Sequence, residues 1–343
     1  LFPGQRFGLP DDEVPIAQVL SDAGYATKLV GKWHCGDQPP FLPTRRGFDG
    51  YYGLPYSNDM GRQRTENDFS LPALMAELGM LLDDEVLEQQ PDQASLTARY
   101  VDESIRFLRA NRDRPFFLYL AHIYVHLPIY VQERFALASR NGRYGAAVAS
   151  IDWAAGVLLA ELHALGLDAD TIVIFTSDNG SRARDEGGSN EPLRGEKATA
   201  WEGGLRVPCI VRWPGHVPAG EVRSDLTTAM DLLPTLAALC DAEVPGDRTI
   251  DGRDISAILL GAADAASPHE AFWYYLTDQL HAVRAGRWKL HVFRDGAAVE
   301  ELYDLVDDPG ETVDVAPSHP EVVAELLGHA ERARAELGDA GTG

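Results

Sequence analysis

Apolar and polar residues recur along this chain with the period of a helix in some segments and of a strand in others. An apolar stripe over residues 11–22, with Asp11 or Asp12 as its cap, predicts a helix that Gly24 ends, and a strand is predicted over 25–30. The same criteria predict helices over 95–111, 144–165 and 226–240, and strands over 116–121, 171–176 and 207–213. Strands that alternate with helices are typical of an α/β fold with a mostly parallel sheet.

The pattern changes after residue 261. Short runs of aromatic and β-branched residues follow, separated by turns such as Arg294-Asp295-Gly296, and they predict a small antiparallel sheet. A helix over 320–337 is predicted to end the chain. We therefore expect two domains, 1–261 and 262–343.

Polar side chains gather where the predicted parallel strands end. His34, His126 and Asp178 each follow a different strand. Open α/β sheets bind ligands beyond the carboxyl ends of their strands. We expect these three side chains to lie along one rim of the sheet.

The Asp178-Asn179-Gly180 segment has two possible roles. It is ordinary turn chemistry, but a carboxylate and a carboxamide at a strand end also offer two hard oxygen ligands to a divalent cation. Lys197 follows in a glycine-flanked segment, either as a solvated lysine or as a partner for an anion. Together these residues favour metal-assisted chemistry on an anionic ester.

Two further segments contain candidate site residues, each with a structural alternative. Lys32 and His34 are one residue apart at a strand end, so both side chains can reach one oxyanion, or they are a solvated lysine and a satisfied histidine. His126 lies four residues after His122, but Pro128 argues against a helical pair of metal ligands. A single functional histidine is the preferred interpretation. Ser57 is a weaker candidate.

Charge and composition exclude several classes of partner. The 53 acidic and 30 basic residues give a net charge of −23, which disfavours nucleic acid as a partner. No run of about 18 apolar residues stands out, so we expect no membrane span. Cys35, Cys209 and Cys240 are too few and too scattered for a disulfide framework, and we expect them to be unpaired.

The segments that contain these candidates resemble the sulfatases, and within them the arylsulfatase A-like group of the alkaline phosphatase superfamily. They occur in family order across almost the whole chain: GYATKLVGKWHCG (24–36), GFDGYYGLPYSND (47–59), PFFLYLAHIYVHLP (115–128), TIVIFTSDNG (171–180), LRGEKATAWEGGLRVP (193–208), DLLPTLAAL (231–239) and LYDLVDDPGE (302–311). The resemblance implies an alkaline-phosphatase-like sandwich, with a large mixed, mostly parallel sheet between helices and a small C-terminal antiparallel sheet with a terminal helix.

The resemblance also implies a calcium-dependent sulfuric ester hydrolase, with calcium preferred to magnesium. By position, Asp178 and Asn179 would be metal ligands, and Lys32 and Lys197 would hold the sulfate. His126 would be the general acid for the leaving alcohol, a role that suits imidazole because its pKa lies near neutrality. His34 would contact the nucleophile, and Ser57 matches a serine that touches the substrate sulfate in some members.

One departure from the family pattern concerns the nucleophile. In sulfatases the first residue of a Cys-x-Pro-Ser-Arg or Ser-type motif is oxidised to formylglycine, and none of the three cysteines lies in such a motif. The two further metal-binding aspartates of the family's first strand are also missing. We expect a sulfatase that lacks its N-terminal part, with weak metal binding, a strand edge left exposed and no activity on its own.

Two rival functions remain open at this point. One is a phosphodiesterase or phosphonate monoester hydrolase of the same superfamily, and the other is a non-catalytic protein that binds sulfated ligands. For the leading interpretation we expect a sulfated small molecule or sulfated sugar as substrate, and a formylglycine-generating enzyme as partner. A periplasmic, secreted or lysosome-like location is favoured. The sequence does not identify which sulfate ester is cleaved.

Overall fold

The computed structural model describes residues 1–62, 76–182 and 187–339, which form two compact units. Unit 1 comprises Leu1–Thr171, Trp213–His216 and Thr228–Ala257. Unit 2 comprises Ile172–Arg212, Val217–Thr227 and Ile258–Gly343. Both units are discontinuous in sequence, and the domain division at residue 261 stays a prediction.

Helices and strands alternate through most of the chain. The strands are β1 (Ala26–Lys32), β2 (Gly50–Leu54), β3 (Gly79–Leu82), β4 (Glu85–Gln89), β5 (Phe116–Ala121), β6 (Val173–Thr176), β7 (Cys209–Arg212), β8 (Phe272–Leu276), β9 (Gln279–Ala285), β10 (Trp288–Arg294) and β11 (Ala297–Asp304). The helices are α1 (Ile16–Asp22), α2 (Leu96–Ala110), α3 (Glu133–Ala138), α4 (Gly142–Ala164), α5 (Glu202–Leu205), α6 (Leu232–Leu239), α7 (Ser256–Leu259) and α8 (Pro320–Leu337).

Unit 1 is built on a five-stranded mixed sheet in the order β4-β3-β2-β1-β5. β1 pairs in parallel with both β2 and β5, whereas the β3–β4 hairpin is antiparallel to β2. Leu29 and Val30 of β1 are fully buried, because this central strand is covered on both faces. Helix α2 packs against β1, β2 and β5. The carboxyl ends of β1 and β5 therefore open at the same edge.

Glycines allow the parallel strands to approach each other closely at that edge. Gly31 lies opposite Gly53 of β2 and Ala121 of β5. A Cβ atom on Gly53 would lie 1.8 Å from the Gly31 carbonyl oxygen, and one on Gly31 would lie 1.9 Å from the Ala121 carbonyl oxygen. Gly31 also has a φ of +117°, which residues with a side chain rarely adopt. Only glycine fits at both positions.

Unit 2 contains a four-stranded antiparallel sheet in the order β11-β10-β9-β8. Helix α8 covers one face of it, where Leu280, Leu290 and Leu302 pack with Leu326 and are fully or almost fully buried. A separate two-stranded ladder of β6 and β7 also belongs to this unit. The mixed, mostly parallel sheet of unit 1 and the small antiparallel sheet with its terminal helix confirm the predicted fold class.

Three predicted details differ in the structure. The helix predicted over 226–240 begins at Leu232, because Thr228 caps a short 3-10 helix, Ala229–Asp231, ahead of it. Helix α1 begins at Ile16 instead of near Asp11, because Pro15 is its N-cap and a proline disfavours helical geometry in the residue before it. β6 pairs only with β7, in an antiparallel ladder, and not with the parallel sheet. β1 and β5 end at one edge of the sheet, as expected, and the placement of Asp178 on the same rim stays a prediction. Within the described residues, β5 and β6 each have one edge without a strand partner.

Helix α4 bears on the expectation of no membrane span, which stays a prediction. It is the one helix of the described residues whose length and composition would allow a span, and 28% of its most apolar window is buried. The sequence predicted this helix over residues 144–165. Core helices of water-soluble proteins have the same length and composition, and α4 packs against α2 and α3. The three cysteines are unpaired, as predicted.

The glycine contact predicts a position-specific effect on stability. Replacing Gly53 by alanine forces a methyl group against the Gly31 carbonyl, so we expect Gly53→Ala to lower the free energy of unfolding by about 2–3 kcal/mol. The matched control is Gly50→Ala on the same strand, where the nearest atom to an added Cβ is an Asp83 carboxylate oxygen at 3.4 Å. Urea unfolding measures both variants. Equal stability of the two variants would contradict the close approach.

Candidate functional site

Lys32 ends β1, and the turn that follows is held firmly. Trp33 donates its indole N–H to the Phe41 carbonyl at 2.8 Å and packs edge-on against Phe48 at a ring distance of 6.2 Å. Lys32 lies beside Leu54 in the parallel register and is half-buried. The lysine charge is thus fixed near the carboxyl edge of the sheet.

His34 has an unusual backbone conformation for a residue with a side chain. Its φ is +63°, in the left-handed region, and its main-chain N–H donates to the Pro55 carbonyl at 2.7 Å. The imidazole lies edge-on to Tyr56 at 5.3 Å. Such conformations persist where the surroundings enforce them, and they concentrate at functional sites. Tyr56 was missed in the sequence, although it is adjacent to Ser57.

The charges around His34 keep its imidazole neutral. Burial lowers the pKa of His34 below its usual value, and the positive charge of Lys32 lowers this pKa further. The charge of His126 also lowers the His34 pKa, because the imidazoles following β1 and β5 lie near each other. A neutral imidazole both accepts and donates a proton, as contact with a nucleophile requires.

His126 is oriented by its own segment. Its Nδ1 atom donates to the Leu127 carbonyl at 2.7 Å, because a carbonyl oxygen only accepts. That bond assigns the Nδ1–H tautomer to the neutral ring and leaves Nε2 to exchange a proton. Asp59 Oδ1 lies 3.9 Å from Nδ1. The sequence singled out His126, but it did not indicate which ring nitrogen contacts the main chain.

Ser57 is buried beside this segment. Only 1% of its surface is exposed, and its Oγ atom has no hydrogen-bond partner in the described part of the chain. The adjacent Asn58 donates to Gln93 Oε1 at 2.7 Å and to the Pro128 carbonyl at 2.8 Å. These bonds tie the Ser57 segment to the residues after His126. A buried hydroxyl without a partner is costly, and a ligand oxygen would satisfy it.

Asp178 and Asn179 follow β6 in unit 2. Asp178 is exposed, and within the described residues its carboxylate makes no hydrogen bond or ion pair. The turn is formed instead by Ser177 Oγ, which donates to the Asn179 carbonyl at 2.9 Å, and by the Gly180 N–H, which donates to the Gly204 carbonyl at 3.0 Å. The Asp178 side chain is therefore not needed to make the turn, which favours the ligand alternative.

These two side chains fit calcium in kind but not in number. Calcium takes six to eight oxygen ligands, and Asp178 and Asn179 offer a carboxylate and a carboxamide oxygen from adjacent residues. Across residues 1–62, 76–182 and 187–339, no cluster of three or more His, Cys, Asp or Glu side chains has the geometry of a metal site. The pair would be part of a larger ligand set.

The main chain at Lys197 is hydrogen-bonded to the segment that follows the Asp178–Asn179 turn. Its N–H donates to the Ser181 carbonyl at 3.3 Å. The Asn190 side chain bridges Ser181 and Gly195, accepting from the Ser181 N–H at 2.8 Å and donating to the Gly195 carbonyl at 3.0 Å. Unit 2 thus brings Lys197, Asp178 and Asn179 together, and unit 1 brings Lys32, His34, Ser57 and His126 together. The sequence offered no signal for Asn190.

Comparison with known proteins identifies the segments that contain these residues. The sulfatase family model matches residues 3–242, and the model described as N-sulphoglucosamine sulphohydrolase, C-terminal, matches residues 195–336. All seven candidate residues lie within the first match.

The individual proteins to which the chain is similar are also sulfatases. The chain is 34% identical to steryl-sulfatase of Mus musculus over 98% of its length, and 37% identical to arylsulfatase A of Homo sapiens over 95%. These matches span 70% and 72% of the two relatives. Among solved structures, the PsFucS1 sulfatase from Pseudoalteromonas sp. superposes with a TM-score of 0.87 at 25% identity, over 97% of this chain and 75% of that one.

The environment of His34 makes a testable prediction. Because Lys32 lowers the pKa of His34, we expect Lys32→Gln to raise that pKa, so that the imidazole takes up its proton at higher pH. NMR titration of the His34 ring measures the change. Lys28→Gln is the control, since Lys28 lies on the same strand but pairs with Glu103. An unchanged His34 pKa in Lys32→Gln would show that the two side chains do not interact.

Proposed function

Because the chain belongs to the sulfatase family, we propose that it contributes the active-site residues of an enzyme that hydrolyses sulfate monoesters. The observation that carries this proposal is the grouping of Lys32, His34 and His126 where two neighbouring parallel strands end. A cation, a neutral imidazole and a second imidazole oriented through its Nδ1 atom are the groups that an anionic ester and its leaving alcohol require.

Lys32 and Lys197 are proposed to bind the sulfate group. The protein carries a net charge of −23, so an anionic substrate needs local positive charge. Lysine ammonium groups provide it, and they also stabilise the charge that develops on the sulfate oxygens during the reaction. The buried, unpartnered hydroxyl of Ser57 is proposed as a further contact to the sulfate.

His126 is proposed as the general acid. Its Nδ1–H bond to the Leu127 carbonyl holds the ring so that Nε2 faces the reaction when both nitrogens are protonated. Nε2 would give its proton to the oxygen of the leaving alcohol as the sulfur–oxygen bond breaks. The Asp59 carboxylate lies 3.9 Å from Nδ1, on the side of the ring away from Nε2.

Asp178 and Asn179 are proposed to supply two of the oxygen ligands of a calcium ion. The free carboxylate of Asp178 supports this role, and further ligands would be needed to complete the set. When bound, calcium would act as a Lewis acid that polarises a sulfate oxygen.

A formylglycine is proposed as the nucleophile, with neutral His34 in contact with it. No Cys-x-Pro-Ser-Arg run occurs in these 343 residues, so we propose that this chain alone does not turn over sulfate esters. Among the strands that the structure describes, β5 has a partner on one edge only, which supports a fold that takes a further strand. A formylglycine-generating enzyme would then be a partner.

The substrate class is proposed as sulfate monoesters, including sulfated sugars, without a choice among them. The relatives named above are a steryl-sulfatase and an arylsulfatase, and both match this chain at similar identity. We further propose an exported or lysosome-like location, which rests on the family alone.

Binding of inorganic sulfate tests the proposal without a nucleophile. We expect Lys197→Gln to weaken sulfate binding by about tenfold, since a charge-assisted contact contributes about 1.5 kcal/mol or more. Isothermal titration at constant ionic strength measures the dissociation constants. Arg332→Gln is the control, because it removes the same charge from an exposed pair with Glu270 in the same unit. Equal sulfate affinity of Lys197→Gln and the unsubstituted chain would contradict the role of Lys197.

A further inference from the structure

Unit 2 buries a cluster of charged and polar side chains beneath the Lys197 loop. We call it the Glu202 cluster, and its members are Glu202, Tyr274, Arg284, Lys289, His291 and Glu311. Lys289 and Glu311 have no exposed surface, and Glu202 has 1% exposed. Charged residues this deeply buried are rare in proteins unless they are paired.

The two carboxylates of the cluster share one lysine. Lys289 Nζ donates to Glu202 Oε1 at 3.1 Å and lies 2.9 Å from Glu311 Oε1. Glu202 also accepts from the Tyr274 hydroxyl at 2.7 Å and from Arg284 at 3.3 Å. His291 Nε2 lies 2.9 Å from Glu311 Oε1 and donates to it. Every member of the cluster therefore has a partner.

The charges in the cluster balance. Burial alone would raise the pKa of Glu202, but Lys289, Tyr274 and Arg284 bring it below the usual value, so the carboxylate is ionised. Burial lowers the pKa of His291 and keeps it neutral. Two carboxylates then face two cations. A buried ion network of this kind adds little net stability compared with apolar residues, so specification of one geometry is a better explanation for it.

The cluster fixes the two ends of the Lys197 loop. The Glu202 N–H donates to Glu311 Oε2 at 2.7 Å, and Arg194 donates to the Glu311 carbonyl at 2.9 Å. The Arg194 guanidinium lies 3.7 Å from the centre of the Trp201 ring, which in turn stacks on His291 at 4.2 Å. Both ends of the segment 194–202 are thus bound to residues of the C-terminal sheet and its following loop.

The same loop holds the Asp178–Asn179 turn. The Gly203 N–H donates to the Arg194 carbonyl at 2.7 Å, and the Gly180 N–H donates to the Gly204 carbonyl at 3.0 Å. A Cβ atom on Gly180 would lie 1.8 Å from the Gly203 carbonyl oxygen, so the two main chains are in direct contact. These contacts connect Glu202 with the main chain on both sides of Lys197 and with the residue after Asn179.

We propose that Lys289 and Glu311 are positioning residues, which hold Glu202 and thereby place Lys197 and the Asp178–Asn179 turn for anion and metal binding. This inference rests on the proposed function for what the positioned residues do. The proposal gives Lys289 of the C-terminal sheet and Glu311 of the following loop a role in the site, although they are 87 and 109 residues from Glu202 in sequence.

Three variants and a control test the proposal. Lys289→Met removes the shared cation and leaves two buried carboxylates with Arg284 alone. Lys289→Met/Glu311→Gln restores the charge balance, because it removes one cation and one carboxylate. The introduced carboxamide can accept from the Glu202 N–H and donate to His291 Nε2, if the neutral imidazole carries its proton on Nδ1. Glu311→Gln alone is a milder change. Arg287→Gln is the control, since it breaks an exposed pair with Asp304 on the same sheet.

Amide hydrogen exchange and sulfate affinity are measured at a temperature where circular dichroism shows all variants to be folded. In Lys289→Met we expect the Gly180, Lys197 and Gly203 amides to exchange about tenfold faster, while amides in β9 and β10 are unchanged. Inorganic sulfate should bind about fivefold more weakly, because misplaced groups bind poorly. The double variant should recover most of both losses, and Arg287→Gln should resemble the unsubstituted chain.

Two results would overturn the proposal. Exchange that increases equally in the loop and in β9 and β10 would mean that the cluster only stabilises the unit. Unchanged loop exchange and unchanged sulfate affinity would mean that it positions nothing. If Lys289→Met does not fold, Glu311→Gln decides by the same criteria. If the unsubstituted chain itself binds no sulfate, the proposed function fails, while the exchange data still test whether the cluster holds the loop.

Discussion

The close approach of main chains at glycine is the constraint on which both groups of candidate residues depend. In unit 1, Gly31 and Gly53 let β1 lie against β2 and β5, which places the segments after β1 and β5 side by side. In unit 2, Gly180 contacts Gly203, which joins the Asp178–Asn179 turn to the Lys197 loop. A side chain at any of these positions would separate elements whose contact brings the polar residues together.

Local electrostatics then distinguish the candidate residues from the rest of an acidic protein. His34 is kept neutral by burial and by Lys32, whereas His126 has an aspartate close to Nδ1. Two imidazoles in such different surroundings suit different tasks, one near the nucleophile and one at the leaving group. In unit 2 the charges beneath the loop are balanced and buried, and Lys197 of this loop is the residue that we propose to bind the anion.

Much of the fold followed from local pattern, and the parts that did not depend on distant contacts. Strand β5 and helix α8 have the predicted bounds, because the spacing of their apolar residues and a proline at the start of each define them locally. The pairing of β6 with β7 was not predicted, since strand partners are chosen by tertiary contacts. For the site, the motifs indicated which residues to examine, but Glu202 meets Lys289 across 87 residues of sequence, and no local pattern reveals such a pair.

The most direct test is turnover of an aryl sulfate in the presence of calcium. The rates should be compared between the 343-residue chain and a version extended at its N-terminus with a Cys-x-Pro-Ser-Arg segment that has been converted to formylglycine. The account predicts hydrolysis by the extended version, faster for the sulfate ester than for the matching phosphate ester, and none by the chain alone. Turnover by the chain alone, or a preference for the phosphate ester, would contradict it.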